Sequence, residues 1–310
     1  MKLRIWTDVS YPEAATGLRR EVTRGQELIA GGGALDACEV AFGQPRPEAV
    51  MDSPAVRWVH LDSAGYERYD ASGVRAGLAA RGLALTTSSS VYREPCAEHL
   101  LAMITGLARG LPAALDAQRG DRSWPMHEIR RTARLLAGQT VVLLGYGAIA
   151  RRLAEMLAPL GMTLVAVRRR RQEDALARVI AESELGEYLP LADHLVSTLP
   201  ANAETRRFVN AARLGALKPG AVFYNIGRGT TVDQEALIAA LASGRLGATY
   251  LDVTDPEPLP PGHPLWAAPN CYITPHSAGG YATEKEELVR HFGENLRRFV
   301  AGAELIDRVG

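Results

Sequence analysis

The sequence predicts an α/β protein of two domains, each built on a parallel sheet. Three observations lead there. Short apolar runs alternate with helical stretches along the chain, the pattern of parallel sheets covered on both faces. One such run, Thr140-Val-Val-Leu-Leu144, is closed by the glycine turn Gly145-Tyr-Gly-Ala-Ile-Ala150 and followed by a helical stretch. The chain has 310 residues, enough for two domains of ordinary size.

The first part reads as a small α/β unit. Residues 3–6, 37–42 and 58–61 are strand-like, and 83–86 is a further candidate. Helical stretches and Gly-rich turns such as Ala30-Gly-Gly-Gly-Ala34 separate them. After the polar break Ser88-Ser-Ser90, residues 94–119 carry a helical pattern in which Leu100, Leu101, Ile104, Leu107, Ala108 and Leu111 recur at helical spacing. Pro95 suits the first turn of this helix, where a missing N–H costs nothing. Pro112 is expected to kink or restart it. The second unit opens with strand 140–144, then a helix over 148–160 ended by Gly161, then strand 162–167, which together make a βαβ unit. Residues 194–199, 221–226 and 249–253 read as later strands. The last helix, 281–301, carries many charges and is expected to return to the first domain.

Hydrophobic residues make up 47% of the chain, so a sizeable core forms and wholesale disorder is excluded. Lys plus Arg and Asp plus Glu are 35 each, so the formal net charge is zero and nothing draws the protein globally toward nucleic acid or membrane. Cys38, Cys96 and Cys271 are odd in number and far apart, which fits a reducing cytosol and offers no metal spacing. The first residues read as a strand rather than the apolar segment of a signal peptide. No apolar run approaches the ~18 residues of a spanning helix. A cytoplasmic protein is expected, with no metal, nucleic-acid or membrane partner.

The glycine turn has the G-x-G-x-x-A form. Gly145 permits the tight turn, Gly147 lets the backbone approach a pyrophosphate, and Ala150 is the small residue that helix–strand packing needs. The phosphates would sit on the helix N-terminus. Any α/β protein can carry a glycine turn, so the weight comes from the strand before it and the helix after it. About 20 residues on, NAD-preferring sites end the second strand with an acid that holds the ribose hydroxyls. Arg168 stands there, followed by Arg169, Arg170 and Arg171. An acid would repel a 2′-phosphate, whereas an Arg grips one with paired donors. The run therefore favours NADP and leaves NAD possible. Its other reading is a solvated basic turn.

Four polar residues nearer the C-terminus carry candidate chemistry. Arg228 lies between glycines in Asn225-Ile-Gly-Arg-Gly229, after an apolar strand, where α/β sites form. Asp252 lies in Leu251-Asp-Val253, Glu257 in a Pro-rich stretch, and His276 in Thr274-Pro-His-Ser-Ala-Gly279. An Arg holds a carboxylate or polarises a carbonyl, a His moves a proton, and a Glu beside that His keeps it protonated at neutral pH. Each alone reads equally as an ordinary turn residue. Their order and context together point to redox chemistry on a small oxo-acid.

In that order the motifs resemble the D-isomer-specific 2-hydroxyacid dehydrogenases. That family runs from a glycine turn through N-x-x-R-G, L-D-V and E-P to P-H, and this chain has the matching segments at 145–150, 225–229, 251–253, 257–258 and 275–276. Ala97-Glu-His99, Ser197-Thr-Leu-Pro200 and Gly262-His-Pro-Leu-Trp266 match as well. The resemblance covers nearly the whole chain, is most specific from Pro95 to Gly279, and is weaker over the first 60 residues.

The resemblance implies a Rossmann-type dinucleotide-binding domain inserted into a smaller flavodoxin-like substrate domain. The substrate domain would take residues 1–91, the NAD(P)-binding domain 92–279, and residues 280–310 would return to the first, with the active site in the cleft. It implies a glyoxylate/hydroxypyruvate reductase-like enzyme, a homodimer that reduces a small 2-oxo acid to the D-2-hydroxy acid. Arg228 then binds the carboxylate and polarises the keto group, His276 is the acid/base, Glu257 pairs with it, and Asp252 lies near the nicotinamide and helps set the pH dependence. Cofactor contacts would come from Gly145, Tyr146, Gly147, Ala148 and Ile149 in the turn, and from Arg168 and Arg169 beyond it. Thr198, Leu199, Pro200 and Thr205 would follow, then Ile226 and Gly227, and finally Asp252, His276 and Ala278. The backbone of Ala64 and Gly65, in Asp62-Ser-Ala-Gly-Tyr66, would hold the substrate carboxylate with Arg228 and His276.

Departures from the family pattern bear on specificity. Ala150 stands where many members have Gly, and Arg168 replaces the usual acid. The loop Phe42-Gly-Gln-Pro45 lacks the basic residue that some members place there, so a substrate bearing an extra phosphate has no obvious partner. No regulatory extension is expected. Formate dehydrogenases of this fold pair their His with Gln, so Glu257 argues against that activity. A phosphite-type dehydrogenase keeps the same Arg, Glu and His, and a dinucleotide-sensing corepressor keeps most of them. Both stay open at this point.

Overall fold

Two runs of short parallel strands organise the chain. The computed structural model describes residues 2–9, 16–17, 19–20, 23–30, 35–169 and 173–309. It divides into two units, one of Met1–Tyr92 with Gly280–Gly310 and one of Arg93–Gly279. Residues 31–34 of the expected glycine-rich turn, and Arg170 and Arg171, lie outside the described residues.

The first unit holds β1 (Arg4–Thr7), β2 (Glu27–Ala30), β3 (Val40–Gly43), β4 (Trp58–Leu61) and β5 (Ala84–Thr86). They pair in parallel in the order β2-β1-β3-β4-β5. Side chains alternate across the sheet. Trp6, Ala41, Val59 and Leu61 pack on one face, while Ile5, Val40, Phe42 and Trp58 pack on the other with the C-terminal helix Glu284–Ala301. Phe292 of that helix stacks on Phe42 at 4.1 Å between ring centroids. With both faces buried, the strands read as apolar runs rather than as an alternation.

The second unit holds β6 (Thr140–Leu144), β7 (Thr163–Val167), β8 (Arg178–Ile180), β9 (His194–Ser197), β10 (Ala221–Asn225), β11 (Leu246–Leu251) and β12 (Cys271–Ile273). All pair in parallel, in the order β12-β11-β10-β9-β6-β7-β8. From β6 the chain runs outward through β7 and β8, then returns to build β9 to β12 on the other side. The strand order therefore reverses between β6 and β9, the place where sheets of this kind bind ligands at the carboxyl ends of their strands.

The helices described are α1 (Pro47–Asp52), α2 (Ser72–Ala80), α3 (Ser89–Ala108), α4 (Leu111–Arg119), α5 (Met126–Thr132), α6 (Ala148–Leu157), α7 (Leu185–Tyr188), α8 (Ala211–Ala216) and α9 (Gln234–Ala242), besides the C-terminal one. Among the described residues no single helix is long and apolar enough to cross a membrane. Helix α3 begins at Ser89, five residues before the expected start at 94, so Pro95 sits inside it rather than in its first turn. The cause is a distant cap: the Asp307 carboxylate accepts from Ser90 N and Ser90 Oγ, both at 2.7 Å, across 217 residues of sequence. Pro112 marks a restart as expected, with Gly110 in the left-handed region before α4. The strand expected at 37–42 is β3, because residues 35–37 form a 3-10 turn first. β2 and β8 are edge strands of four and three residues, and with α5 they were not foreseen.

His194 on β9 is buried and neutral in character. Its Nε2 donates to Gln139 Oε1 at 2.5 Å, and its Nδ1 accepts from the Tyr224 hydroxyl at 3.0 Å. Burial pulls its pKa from 6.5 to about 4, and burial lowers that of His60 in the first unit as well. The folded state thus refuses protons that the unfolded chain accepts. This contribution to stability is complete above pH 6.5 and is lost as pH falls toward 4. Melting curves across that range are expected to show Tm falling, with a shallower slope in His194→Gln. An identical slope in the variant would remove His194 from the account.

Candidate active site

The carboxyl ends of β6 and β9 collect the first group of candidate residues. Gly145 ends β6 with φ +84, and a Cβ there would lie 3.1 Å from Thr198 Oγ1 in the loop after β9. A side chain at this point is both strained and crowded. Gly147 is the N-cap of α6, with no side chain satisfying the first N–H groups. A Cβ on Gly147 would meet no atom within 4 Å, so the protein itself does not fill that space. Uncapped N–H groups facing open room suit a pyrophosphate. Ala150, fully buried, packs the helix onto the sheet. The residues present therefore fit a dinucleotide.

Tyr146 turns inward and donates to Asp174 Oδ1 at 2.9 Å. Burial, then the bond to Asp174, pushes its hydroxyl up to about 12. That leaves its backbone to serve a cofactor. Arg168 follows β7, its N–H donating to Ile180 O at 3.0 Å. Arg169 pairs with Glu204 at 3.0 Å, both side chains being largely exposed. Thr205 Oγ1 donates to Pro200 O at 2.6 Å and accepts from Asn202 N at 3.0 Å, which shapes the loop that carries Thr198, Leu199 and Pro200.

The loop after β10 holds Arg228. Its flanking glycines serve close approach. A Cβ on Gly227 would lie 2.4 Å from Leu199 O, and one on Gly229 2.0 Å from the Thr254 main chain. Ile226 N–H donates to Ser197 O at 3.1 Å. Asn225, fully buried, ties the loop together: Oδ1 accepts from Gly227 N at 3.1 Å and Nδ2 donates to Arg228 O at 3.0 Å. Thr231 Oγ1 donates to the same carbonyl at 2.7 Å. Arg228 is half-buried and donates from Nη1 to Gly227 O at 2.7 Å.

The loops after β11 and β12 bring the acid and the base together. Glu257 Oε1 accepts from Thr254 N at 3.0 Å, and Oε2 meets His276 Nδ1 at 2.9 Å. With Nδ1 engaged, Nε2 is the nitrogen left for a substrate. His276 has φ +52, a left-handed conformation unusual for a side chain of its size. Asp252 holds it there: the main-chain carbonyl accepts from His276 N at 2.9 Å, and Oδ1 accepts from Ser277 N at 2.9 Å and Ala278 N at 3.2 Å. Arg228, Asp252, Glu257 and His276 thus all lie at the carboxyl end of the sheet that carries the glycine turn. Ala64 and Gly65 lie in the other unit, in the loop after β4, where Ser63 Oγ donates to Gly65 O at 2.7 Å. Nearby, burial raises the pKa of Asp62, which accepts from Gln44 Nε2 at 2.7 Å.

Asn225, Thr231 and Thr254 had no part in the sequence-based site. Asn225 and Thr231 sit in or beside a recognised segment, yet their role is to bond main chain, and only the folded loops reveal that. A family model described as D-isomer specific 2-hydroxyacid dehydrogenase, NAD binding domain, matches residues 101–278. The chain belongs to the D-isomer specific 2-hydroxyacid dehydrogenases. It is an NAD(P)-dependent dehydrogenase. The glyoxylate reductase of Aeropyrum pernix is 31% identical over 261 residues, covering 82% of this chain and 76% of that one. The glyoxylate/hydroxypyruvate reductase A of Klebsiella pneumoniae is 37% identical over 164 residues, 53% of this chain and 52% of its own. A D-isomer specific 2-hydroxyacid dehydrogenase from Xanthobacter autotrophicus Py2, solved in complex with NADPH and MES, matches with a TM-score of 0.85 at 27% identity, over 100% of this chain and 98% of that one.

Placing a methyl group where Gly229 faces Thr254 forces two main chains apart. Gly229→Ala in this dehydrogenase should cost about 1–3 kcal/mol of stability, the usual scale of overpacking. It should also displace Glu257, which hangs from Thr254 N. Denaturant unfolding and turnover on one preparation measure both. A variant as stable and active as the parent would mean that the loops are not packed this closely.

Proposed function

We propose that the chain reduces a small 2-oxo acid, of the glyoxylate or hydroxypyruvate type, to the D-2-hydroxy acid, with NADPH as the preferred reductant and NADH usable. The observation that carries this is the Glu257–His276 contact of 2.9 Å, on the same sheet edge as Arg228 and the glycine turn. The names of the relatives from Aeropyrum and Klebsiella support the substrate class.

In this reading the backbone of Gly145, Tyr146, Gly147, Ala148 and Ile149 receives the pyrophosphate, and Arg168 and Arg169 receive a 2′-phosphate. Thr198, Leu199, Pro200 and Thr205 line the dinucleotide, with Ile226, Gly227, Asp252, His276 and Ala278 completing its contacts. The bound dinucleotide supplies the hydride. Ala64 and Gly65 offer main-chain N–H groups to the substrate carboxylate. The Arg228 guanidinium presents a planar fork of donors to carboxylate and keto oxygen, and offsets the negative charge that grows on that oxygen. His276 donates a proton from Nε2 to the oxygen. Glu257, bonded at Nδ1, orients the ring and stabilises its protonated form. We also assign a homodimer. This assignment rests on the resemblance to the family.

Cofactor preference is open to steady-state kinetics. Wild type should show the higher kcat/KM with NADPH, and Arg168→Asp should reverse this through repulsion of the 2′-phosphate. A wild type that prefers NADH would reduce the Arg run to a solvated turn.

Acid–base roles are open to a pH series. His276→Ala should lose roughly 100-fold or more in turnover, the scale of general acid catalysis. Glu257→Gln should move the alkaline limb of the profile to lower pH, since the neutral amide no longer favours a protonated imidazole. An unmoved limb would separate Glu257 from the proton transfer.

A further inference from the structure

Behind the catalytic loop runs a chain of hydroxyls that the mechanism above does not use. Tyr250 OH and Thr274 Oγ1 are 2.6 Å apart, and Thr274 Oγ1 donates to Asp252 Oδ1 at 2.5 Å. Tyr250 is fully buried on β11, one residue from the Leu251–Val253 segment, and His99 of α3 stacks on its ring at 5.5 Å between centroids. The direction of the bonds follows from proton count. Asp252 Oδ1 also accepts from two backbone N–H groups, so the one Thr274 proton goes to it. Thr274 then has only lone pairs to offer, and Tyr250 must be the donor.

We propose that Tyr250 and Thr274 are positioning residues for His276, acting through Asp252. The inference rests on the reading of His276 as the proton donor. His276 occupies the left-handed region, which is unfavourable for a non-glycine residue. Main-chain bonds to Asp252 O at 2.9 Å and Thr274 O at 3.0 Å hold it in that conformation. The Asp252 carboxylate holds the next two residues through Ser277 N and Ala278 N. Thr274 fixes the orientation of the carboxylate, and Tyr250 fixes that of Thr274. Linked bonds of this kind polarise one another in a water-poor interior, so the chain acts as a unit.

Several ionisable groups surround the Asp252 side chain. Cys96 faces it from α3, and burial, then the Asp252 charge, pushes the thiol up to about 12. It is uncharged at neutral pH. Burial raises the Tyr250 hydroxyl above its ordinary value, so it stays a donor. Arg228 approaches Cys96 from the loop after β10, His99 lies against Tyr250, and Glu257 meets the far side of His276.

The experiment is a double-mutant cycle. Tyr250→Phe keeps the ring against His99 and loses the hydroxyl, and kcat for glyoxylate with saturating NADPH should fall about 2- to 10-fold, the scale of one neutral hydrogen bond. Thr274→Val removes a bond to a charged group and strands the Tyr250 hydroxyl, so kcat should fall roughly 10- to 100-fold. Thr274→Ser should restore it. In the double variant the effects should not multiply, because the two hydroxyls bond one another and serve the same Asp252 side chain. Nitrogen-15 NMR of the histidines, in the protein alone, reads the same chain without turnover. The His276 signals and their titration should move in both single variants and return in Thr274→Ser, while His194 stays unchanged. Multiplying effects, or His276 signals that ignore Thr274→Val, would overturn the proposal. Absence of glyoxylate turnover in wild type with either reduced cofactor would instead sink the functional reading, and the NMR arm would still decide the positioning role.

Discussion

At the carboxyl edge of the larger sheet, the loops after β9, β10 and β11 touch main chain to main chain. The placement of Arg228 and Glu257 depends on that close approach. The space facing Gly227 is taken by Leu199 and the space facing Gly229 by Thr254, so no side chain fits at either place. Arg228 is held between two neighbouring loops by contacts that its own side chain does not make. The same packing brings the Thr254 N–H to Glu257, and hence Glu257 to His276. A backbone arrangement this tight tolerates little drift in the side chains that it carries.

Buried polar residues complete that support. Asn225 and Asp252 are almost inaccessible to water, and each spends its side chain on the main chain of the loop that follows. Burying such groups would be unfavourable if any donor or acceptor went unmatched. Here the bonds are made, and their return is a loop conformation that would not persist alone, as at His276. Hydrogen bonding and main-chain packing thus act in series. The glycines let the loops approach, and the buried carboxylate and amide then fix their shape.

The smaller unit uses a different device. Its two ends in sequence are joined by packing of the C-terminal helix on the sheet, with Phe292 against Phe42 and Trp58. Beside that core, Asp307 caps the start of α3 and lies 3.3 Å from His291. Nearby charges and bonds from His291 and Ser90 outweigh its burial and hold its carboxyl below the usual range. It therefore stays ionised as the cap that moves the start of the helix to Ser89.

Much of this was legible in the residues themselves. A short apolar run such as Thr140–Leu144, closed by a glycine turn and followed by a helical pattern, reads as a strand buried on both faces. The order of Arg228, Asp252, Glu257 and His276 pointed to one site, because local sequence carries both the residue type and the turn that displays it. Edge strands β2 and β8 gave a weaker signal, since four and three residues are too few to show a period. Long-range bonds were beyond reach altogether. Nothing near Ser90 announces Asp307, nothing beside Leu251 marks Tyr250 as a donor to Thr274, and nothing in the turn shows Tyr146 bonded to Asp174. Sequence determines which groups can bond and which segments can bend. Only the packed chain decides which distant donor meets which acceptor, because that choice is set by the sheet order that brings strand ends together.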